Sequence, residues 1–164
     1  MDKVAAWLAG RLPLEPQTPA LVHNDYKYDN LVLDPADPAR VLALLDWEMA
    51  TVGDPLLDLG TALGYWVEAG DPEPLRRFRF GPTHLPESLT RRDLAEQYAT
   101  ASNRPLGDLP FAYAFSLFKI AVIAQQIYVR FRQGLTRDPR FAALPAAVQA
   151  LARRAAEAAS SVGV

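Results

Sequence analysis

The chain contains no cysteine, so disulfide bonds and thiol chemistry are excluded. This composition is compatible with a reducing cytoplasm, where we expect the protein to reside. The N-terminus has neither a basic segment nor a long apolar core, so it does not indicate a signal peptide. The longest apolar runs, such as Ile120 to Ala124, are too short to span a bilayer, so we expect no membrane partner.

The chain also lacks an excess of either charge. Its formal net charge of -2 gives no overall reason to expect binding to nucleic acid or to an anionic membrane. One short run, Arg76 to Phe80, alternates basic and aromatic residues, which suits nucleic acid. A single run in an acidic chain favours a partly buried loop instead, so we predict no nucleic-acid partner.

What is present predicts one domain with a sizeable core, because half of the 164 residues are hydrophobic and 22% are charged. Apolar spacing and turn residues predict a mostly helical α+β fold. The expected elements are a helix at Asp2 to Arg11, a proline-rich linker (Pro13, Pro16, Pro19), a short strand at Ala20 to His23, a hairpin of Leu31 to Leu33 and Val41 to Leu45, an irregular loop at Gly70 to Pro86, and helices at Leu56 to Glu68, Ser88 to Ser102, Leu109 to Gln133 and Ala142 to Ala159.

Two smaller features refine that prediction. Both arms of the hairpin are continuously apolar, so we expect it to be covered on both faces or to form the floor of a cleft. No glycine-rich phosphate-binding loop is present, and Gly60 and Gly64 are better explained as positions where helices pack. Gly134 is a plausible end for the long middle helix.

Acidic residues are concentrated between His23 and Asp58, where the only basic residues are Lys27 and Arg40. Crowded carboxylates repel one another unless a cation or hydrogen bonds compensate them. A divalent metal site is one solution. The alternative is solvated acids in loops, which explains Asp34 and Asp37 in a proline-rich turn.

The most informative segment runs from His23 to Asn30 and has the pattern H-x-D-x-K-x-x-N between apolar strands. Phosphoryl transfer needs mainly positioning and charge neutralisation. Asp25 is placed to accept the proton of an attacking hydroxyl, and Lys27 to neutralise the transferred group. Asn30 offers a carbonyl oxygen to a hard cation. His23 is expected to secure the loop by hydrogen bonding to nearby backbone or to the Asp46 segment.

A second acidic group follows the hairpin. Asp46 ends the second arm, so the hairpin brings it beside Asn30 as a further magnesium ligand, and Glu48 is a third candidate. The alternative is that these acids form turns and helix caps. Asp54 before Pro55 has the pattern of a helix N-cap, and Asp58 lies in the first turn, where it can accept backbone hydrogen bonds from the loop.

These residues resemble the aminoglycoside phosphotransferase family, also called choline kinase-like phosphotransferases. The family's catalytic loop corresponds to His23 through Asn30, and its metal-binding aspartate to Asp46. The segment from Asp46 to Leu59 is especially similar to the kinase domains of acyl-CoA dehydrogenase family members 10 and 11. The resemblance implies Mg²⁺ and a nucleotide donor, ATP or GTP, bound through Lys27, Asn30 and Asp46.

The resemblance also implies a protein kinase-like C-terminal lobe. Its expected parts are a helix and linker (1–19), the catalytic loop, hairpin and metal-binding segment (20–58), and a helical substrate-side subdomain (59–164). The family's N-terminal nucleotide-binding lobe has no counterpart before His23. We therefore expect a fragment, a truncated gene product or one half of a split enzyme, with poor nucleotide affinity in isolation.

Three functions follow as hypotheses. The first is a kinase that phosphorylates a hydroxyl of a small molecule. The second is an inactive kinase-like scaffold, and the third a metal-dependent hydrolase using Asp25, Asp46 and Glu48. Leu109 to Arg137 contains no acidic residue, which argues against a polycationic acceptor and favours a neutral or anionic one, such as a hydroxyacyl thioester or a small alcohol.

Two expectations concern surfaces rather than chemistry. The basic residues near the end of the long middle helix, Arg130, Arg132 and Arg137, are also explained as partners of the negative C-terminal end of the helix dipole. Without a covering lobe, apolar surface would be exposed near Leu31, Val32, Leu33 and Leu45, and such patches usually mark an interface. We therefore predict that the chain binds a partner lobe or self-associates, for example as a homodimer.

Overall fold

The computed structural model describes residues 1–12 and 18–160. The predicted linker residues Pro13 and Pro16 lie outside these residues. The described part is mostly helical with few strands, as predicted. In chain order the helices and strands are α1 (Asp2–Ala9), β1 (Ala20–Val22), β2 (Leu31–Leu33), β3 (Val41–Leu44), β4 (Thr51–Gly53), α2 (Leu56–Tyr65), α3 (Glu73–Arg77), α4 (Arg91–Ser102), α5 (Leu109–Arg132) and α6 (Leu144–Ser160).

The strands form two separate antiparallel pairs. β2 and β3 make the predicted hairpin, in which Leu31 lies opposite Leu44 and the register shifts between Val32 and Leu33. β1 pairs with β4, which the sequence did not predict, because a three-residue strand has too little pattern to identify it. The two pairs hold the loop after β1 beside the segment after β3.

The helices pack around α5, which lies mainly against α6 and α2. Small residues allow this close packing. A Cβ atom on Gly60 would lie 2.5 Å from the backbone oxygen of Ala112, and one on Gly64 would lie 2.9 Å from Cδ1 of Ile120. The prediction that both glycines are helix-packing positions is therefore confirmed.

By length and composition alone, α5 is able to cross a membrane. The short apolar runs did not indicate this, because Lys119 interrupts the apolar sequence. In the fold α5 is the central packing helix, and its inward side chains, including Phe111, Leu117 and Ile120, belong to the main hydrophobic core. Its end is marked by Gly134, whose φ of +74° is the left-handed conformation typical of a glycine after a helix.

Several predicted features differ from the structure. α4 begins at Arg91 rather than at Ser88, because Thr90 caps the helix and accepts the N–H of Asp93. α2 ends at Tyr65 rather than at Glu68, because Trp66 adopts an extended conformation and its indole donates to the Leu89 carbonyl at 2.8 Å. The predicted irregular loop contains the short helix α3, which begins with a proline in its first turn. The hairpin is not covered on both faces, since Val41 and Leu42 are 52% and 51% exposed.

Candidate active site

The loop between β1 and β2 is held in place by Asp58, which lies in the first turn of α2. Its carboxylate accepts the backbone N–H groups of His23 and Asn24, each at 2.6 Å. Asn24 has a φ of 65°, in the left-handed region that asparagine tolerates better than most residues. The anchored bend turns the following residue, Asp25, toward the helices. Asp58 thus accepts the backbone hydrogen bonds that the sequence suggested.

His23 secures the same loop from the other side and is only 2% exposed. Its Nε2 lies 2.7 Å from the carbonyl oxygen of Leu45, which can only accept, so Nε2 carries the proton. Nδ1 then accepts the backbone N–H of Asp25 at 3.2 Å. The ring also packs against Trp47, with 4.8 Å between the two ring centroids. His23 therefore connects the loop to the end of β3, and both of its ring nitrogens are bonded to backbone groups rather than to the Asp25 carboxylate.

The Asp25 carboxylate is the centre of the arrangement. Its Oδ1 accepts the phenol of Tyr65 at 2.8 Å. Its Oδ2 pairs with the Lys27 ammonium and accepts the side-chain amide of Asn30 at 3.1 Å. The Asp25 side chain is 16% exposed, so the group is partly desolvated but reachable. Three of the predicted residues, Asp25, Lys27 and Asn30, are therefore in direct contact.

Lys27 also lies over two aromatic rings. Its ammonium is 5.3 Å from the ring centroid of Tyr65 and 5.7 Å from that of Phe80. Phe80 comes from the run that alternates basic and aromatic residues. In that run Arg79 donates to the Arg76 carbonyl at the end of α3, and the ring of the next residue, Phe80, lies at the site. The expectation of a partly buried loop agrees with this placement.

Two of the candidate magnesium ligands, Asn30 and Asp46, lie at the same end of the hairpin. The Leu45 N–H donates to the Asn30 carbonyl at 2.8 Å, which places Asp46 next to Asn30 in space. Asp46 is exposed and has a φ of 61°, a left-handed conformation that aspartate, like asparagine, adopts more readily than most residues.

These residues fit a magnesium ion as far as donor type is concerned. The side-chain amide nitrogen of Asn30 donates to Asp25, so the side-chain oxygen Oδ1 is the atom available to a cation. Mg²⁺ uses one or two protein oxygens and completes its shell with water and phosphate. Within residues 1–12 and 18–160 no three His, Asp or Glu side chains form a metal-binding group. Glu48 is exposed and brings no additional carboxylate into such a group.

Two of the remaining acids in this region, Asp54 and Asp34, accept backbone hydrogen bonds. Asp54 accepts the N–H of Leu56 at 2.9 Å and so caps the start of α2. Asp34 accepts the N–H of Ala36 at 2.9 Å in the hairpin turn. Hydrogen bonding from the backbone therefore explains these two carboxylates without a metal.

Two contributors to the site were not predicted. Tyr65 donates to Asp25, and Lys119 donates to the Asn24 carbonyl at 2.6 Å and to the Thr61 hydroxyl at 3.1 Å. Burial raises the pKa of Tyr65, and the nearby carboxylate of Asp25 adds to the rise, so the phenol stays protonated and donates. The sequence feature that could have pointed to Lys119 is its position as a single lysine inside the apolar sequence of α5.

Burial also affects Lys119, whose ammonium lies beneath the loop. Desolvation lowers its pKa, while the carboxylates of Asp25 and Asp58 act in the opposite direction. Lys119 therefore places a partly buried positive charge close to the two acids that shape the site.

An open cleft of about 720 Å³ adjoins the loop between the hairpin, α2 and α4. Lys27 and Tyr65 line the cleft and both contact the Asp25 carboxylate, so the end of the cleft that they form, called the inner end, lies beside Asp25. Leu31, Leu33 and Val41 form the hairpin side of the cleft. The alternative prediction, that the hairpin forms part of a cleft, therefore agrees with the structure.

Comparison with known proteins gives a consistent result. A family model described as the phosphotransferase enzyme family matches residues 1–102. Acyl-CoA dehydrogenase family member 11 of Mus musculus is 37% identical over 142 residues, which cover 82% of this chain and 17% of that protein. Acyl-CoA dehydrogenase family member 10 of Mus musculus is 35% identical over 136 residues, which cover 82% of this chain and 12% of that protein.

A plant protein is similar to the same extent. Probable acyl-CoA dehydrogenase IBR3 of Arabidopsis thaliana is 33% identical over 141 residues, covering 82% of this chain and 17% of that protein. The chain thus spans less than a fifth of the length of these curated relatives.

Proposed function

Because the chain belongs to the phosphotransferase enzyme family, we propose that it carries the acid–base and metal-binding half of a kinase that phosphorylates a hydroxyl of a small molecule. The family resemblance inferred from the motif is confirmed by this match and by the relatives. The observation that carries the proposal is the Asp25 carboxylate, held by Tyr65, Lys27 and Asn30 at the inner end of an open cleft.

In the proposed reaction, the hydroxyl oxygen of the acceptor forms a bond to the γ-phosphorus of a nucleoside triphosphate. The bond from that phosphorus to the bridging oxygen breaks, the nucleoside diphosphate leaves, and the hydroxyl proton passes to Asp25. Lys27 exchanges its pairing with Asp25 for the transferred phosphoryl group, whose charge it neutralises. His23 and Asp58 hold the loop in register during this exchange.

Asn30 and Asp46 are the proposed ligands of Mg²⁺, which would neutralise charge on the phosphates of the donor. The hydrogen bond from the Leu45 N–H to the Asn30 carbonyl supports this pairing, because it brings the backbone of the exposed Asp46 close to Asn30. Glu48 remains the weakest candidate. We do not propose a metal-dependent hydrolase, because the described residues contain no group of three acids or histidines suited to a metal.

The fold that we propose is the C-terminal lobe of a kinase-like enzyme, which requires a nucleotide-binding lobe to act. The exposed apolar surface of the hairpin supports this, since Val41, Leu42 and Leu45 are each about half exposed. Such a surface fits either a covering lobe or a second copy of the chain. A scaffold without catalysis is the second candidate, and the same exposed surface is the observation that favours it.

The test is phosphate transfer from ATP with Mg²⁺ to an alcohol, measured with the chain alone and with a chain that carries a nucleotide-binding lobe before it. We expect activity in the longer chain and its loss in Asp25→Asn, which keeps the shape of the side chain but cannot take the proton. Asp29→Asn is the matched control, because Asp29 is an exposed acid in the same loop. Equal activity in the two variants would remove Asp25 from the mechanism.

A further inference from the structure

The cleft beside Asp25 has an unusually simple chemical character. Six aromatic side chains from four parts of the chain line it, namely Tyr26, Tyr28, Tyr65, Trp66, Phe80 and Tyr98. Aliphatic residues of the hairpin, α2 and α4 form most of the remaining wall, to which the polar Thr83 and Gln97 also contribute. Its volume of about 720 Å³ lies within the range of about 300–1,000 Å³ that is usual for small-molecule sites. The cleft is therefore large enough for an acceptor with a sizeable apolar body.

Charge in the cleft is confined to its inner end. Among the described residues that line it, only Lys27 and Asp58 are charged. Both already have partners, since Lys27 pairs with Asp25 and Asp58 accepts two backbone N–H groups at 2.6 Å. A charged group on the body of a ligand would lose its hydration without gaining a counter-ion there, which is costly.

Aromatic walls also suit quaternary ammonium groups, so a cationic ligand has to be weighed. Here the Lys27 ammonium already lies over the rings of Tyr65 and Phe80, at 5.3 and 5.7 Å. These two ring faces are taken by a resident cation, and its charge repels a second one. The cleft therefore disfavours a cation at the end where the reaction would occur.

We propose that the cleft binds an uncharged alcohol with an apolar body and presents its hydroxyl to Asp25. The assignment rests on the proposed function, because the cleft is then the acceptor site of the phosphotransfer. The phenol of Tyr65, 2.8 Å from Asp25 Oδ1, marks where a hydroxyl donor reaches the carboxylate from the cleft side. The apolar walls supply affinity in proportion to the area that the body buries.

The experiment is an NMR titration of the isotope-labelled chain, without nucleotide, using 1-butanol, 1-hexanol, choline and glycerol. The indole N–H of Trp66, which lines the cleft and donates to Leu89, is the reporter. Trp7 packs on Phe111 in the core and serves as the internal control. We expect saturable shifts of the Trp66 signal with the two alkanols alone, and an affinity that rises about fourfold for each added methylene.

A variant that fills the cleft gives a second arm. Ala101 lines the cleft on α4, so Ala101→Phe should weaken 1-hexanol binding by about tenfold or more. Thr100→Phe is the matched control on the same helix, because Thr100 is exposed and does not line the cleft. Should Ala101→Phe fail to fold, the ranking of the four probes on the unmodified chain decides alone.

The results separate this assignment from the proposed function. Equal shifts of Trp66 with choline or glycerol, or unchanged binding in Ala101→Phe, would overturn the apolar acceptor. Binding of 1-hexanol without any phosphate transfer by the longer chain would keep the cleft assignment and overturn the kinase. Phosphorylation of glycerol or choline with no response to 1-hexanol would keep the kinase and overturn the assignment of the cleft to an apolar alcohol.

Discussion

Asp25 is oriented by side chains that come from distant parts of the chain. Lys27 and Asn30 belong to its own loop, but Tyr65 ends α2. Each partner fixes a different direction of the carboxylate, so both oxygens point in defined directions before any ligand binds. In the proposed reaction Asp25 would therefore act as a base that is oriented in advance and loses less freedom.

Tyr65→Phe tests the contribution of the phenol. We expect kcat to fall by about tenfold or more, because a hydrogen bond to a charged group is worth about 1.5–3 kcal/mol. KM should change less, since the phenyl ring keeps its edge-on packing against Phe80. The measurement is steady-state kinetics of the active longer chain.

Tyr128→Phe is the control for this prediction. It removes a phenol that contacts Arg132 near the end of α5, away from the loop. An unchanged kcat in Tyr65→Phe would show that the tyrosine contributes packing alone.

At the scale of elements, the contact between α2 and α5 fixes where Tyr65 and Asp58 lie. α2 carries both residues, and Gly60 and Gly64 between them allow its backbone to approach α5 closely. The separation of these helices therefore determines whether Tyr65 reaches Asp25 and Asp58 reaches the loop.

A series of glycine-to-alanine changes tests this contact. Gly60→Ala should lower the free energy of unfolding by about 1–3 kcal/mol, because its Cβ meets backbone that cannot move freely. Gly64→Ala should cost less, since it meets the flexible end of Ile120. Gly70→Ala is the control, with no atom within 4 Å of its Cβ. Urea denaturation measures the free energy of unfolding of each variant. An equal loss of stability in Gly60→Ala and Gly70→Ala would contradict the predicted order.

At the scale of the whole molecule, one buried carboxylate joins three segments. Asp71, after α2, is 5% exposed and pairs with Arg91 at the start of α4 and with Arg154 in α6. Burial raises the pKa of this carboxyl, but hydrogen bonds from Arg91 and the Glu68 N–H, with the charges of Arg91 and Arg154, lower it below its ordinary value of 3.8.

The sign of the pH dependence follows from this lowered pKa. In the unfolded chain Asp71 takes up a proton at a higher pH than in the folded chain. Its stabilising contribution is therefore complete above pH 3.8 and is lost as the pH falls from 3.8 through the folded pKa. The native helical arrangement should lose stability in strong acid.

Asp71→Asn should lower the free energy of unfolding at neutral pH by about 3–5 kcal/mol, because it leaves two arginines without their shared carboxylate. The variant should also lose part of the acid dependence of the native chain. Asp138→Asn is the control, since Asp138 pairs with Arg140 at the surface. Urea denaturation at neutral and at acid pH measures both effects, and parallel acid profiles for Asp71→Asn and the native chain would contradict this account.

The exposed hairpin makes a second prediction about the whole molecule. We expect the chain to self-associate at high concentration, because Val41 and Leu42 are 52% and 51% exposed beside Leu45. Leu42→Lys should shift sedimentation toward a monomer. Val129→Lys is the control, because Val129 is 42% exposed on α5. A native chain that stays monomeric at all concentrations would refute the expectation.

Much of the candidate site was accessible from the sequence because its residues are close together in the chain. Asp25, Lys27 and Asn30 lie within one loop, and a hairpin joins Asn30 to Asp46. Helices with long periodic patterns, such as α5, were likewise predicted closely. Short elements such as β4 and α3 were not, because a few residues carry too little pattern.

The sequence by itself determined the family, the candidate residues of the loop and the helical character of the chain, since each depends on local spacing. Only the tertiary structure decided that Tyr65 and Lys119 serve the loop, that Asp71 joins α4 to α6, and that an apolar cleft adjoins Asp25. These features arise where distant segments meet. Which segments meet is set by the packing of α2, α5 and α6, and no local pattern records that packing.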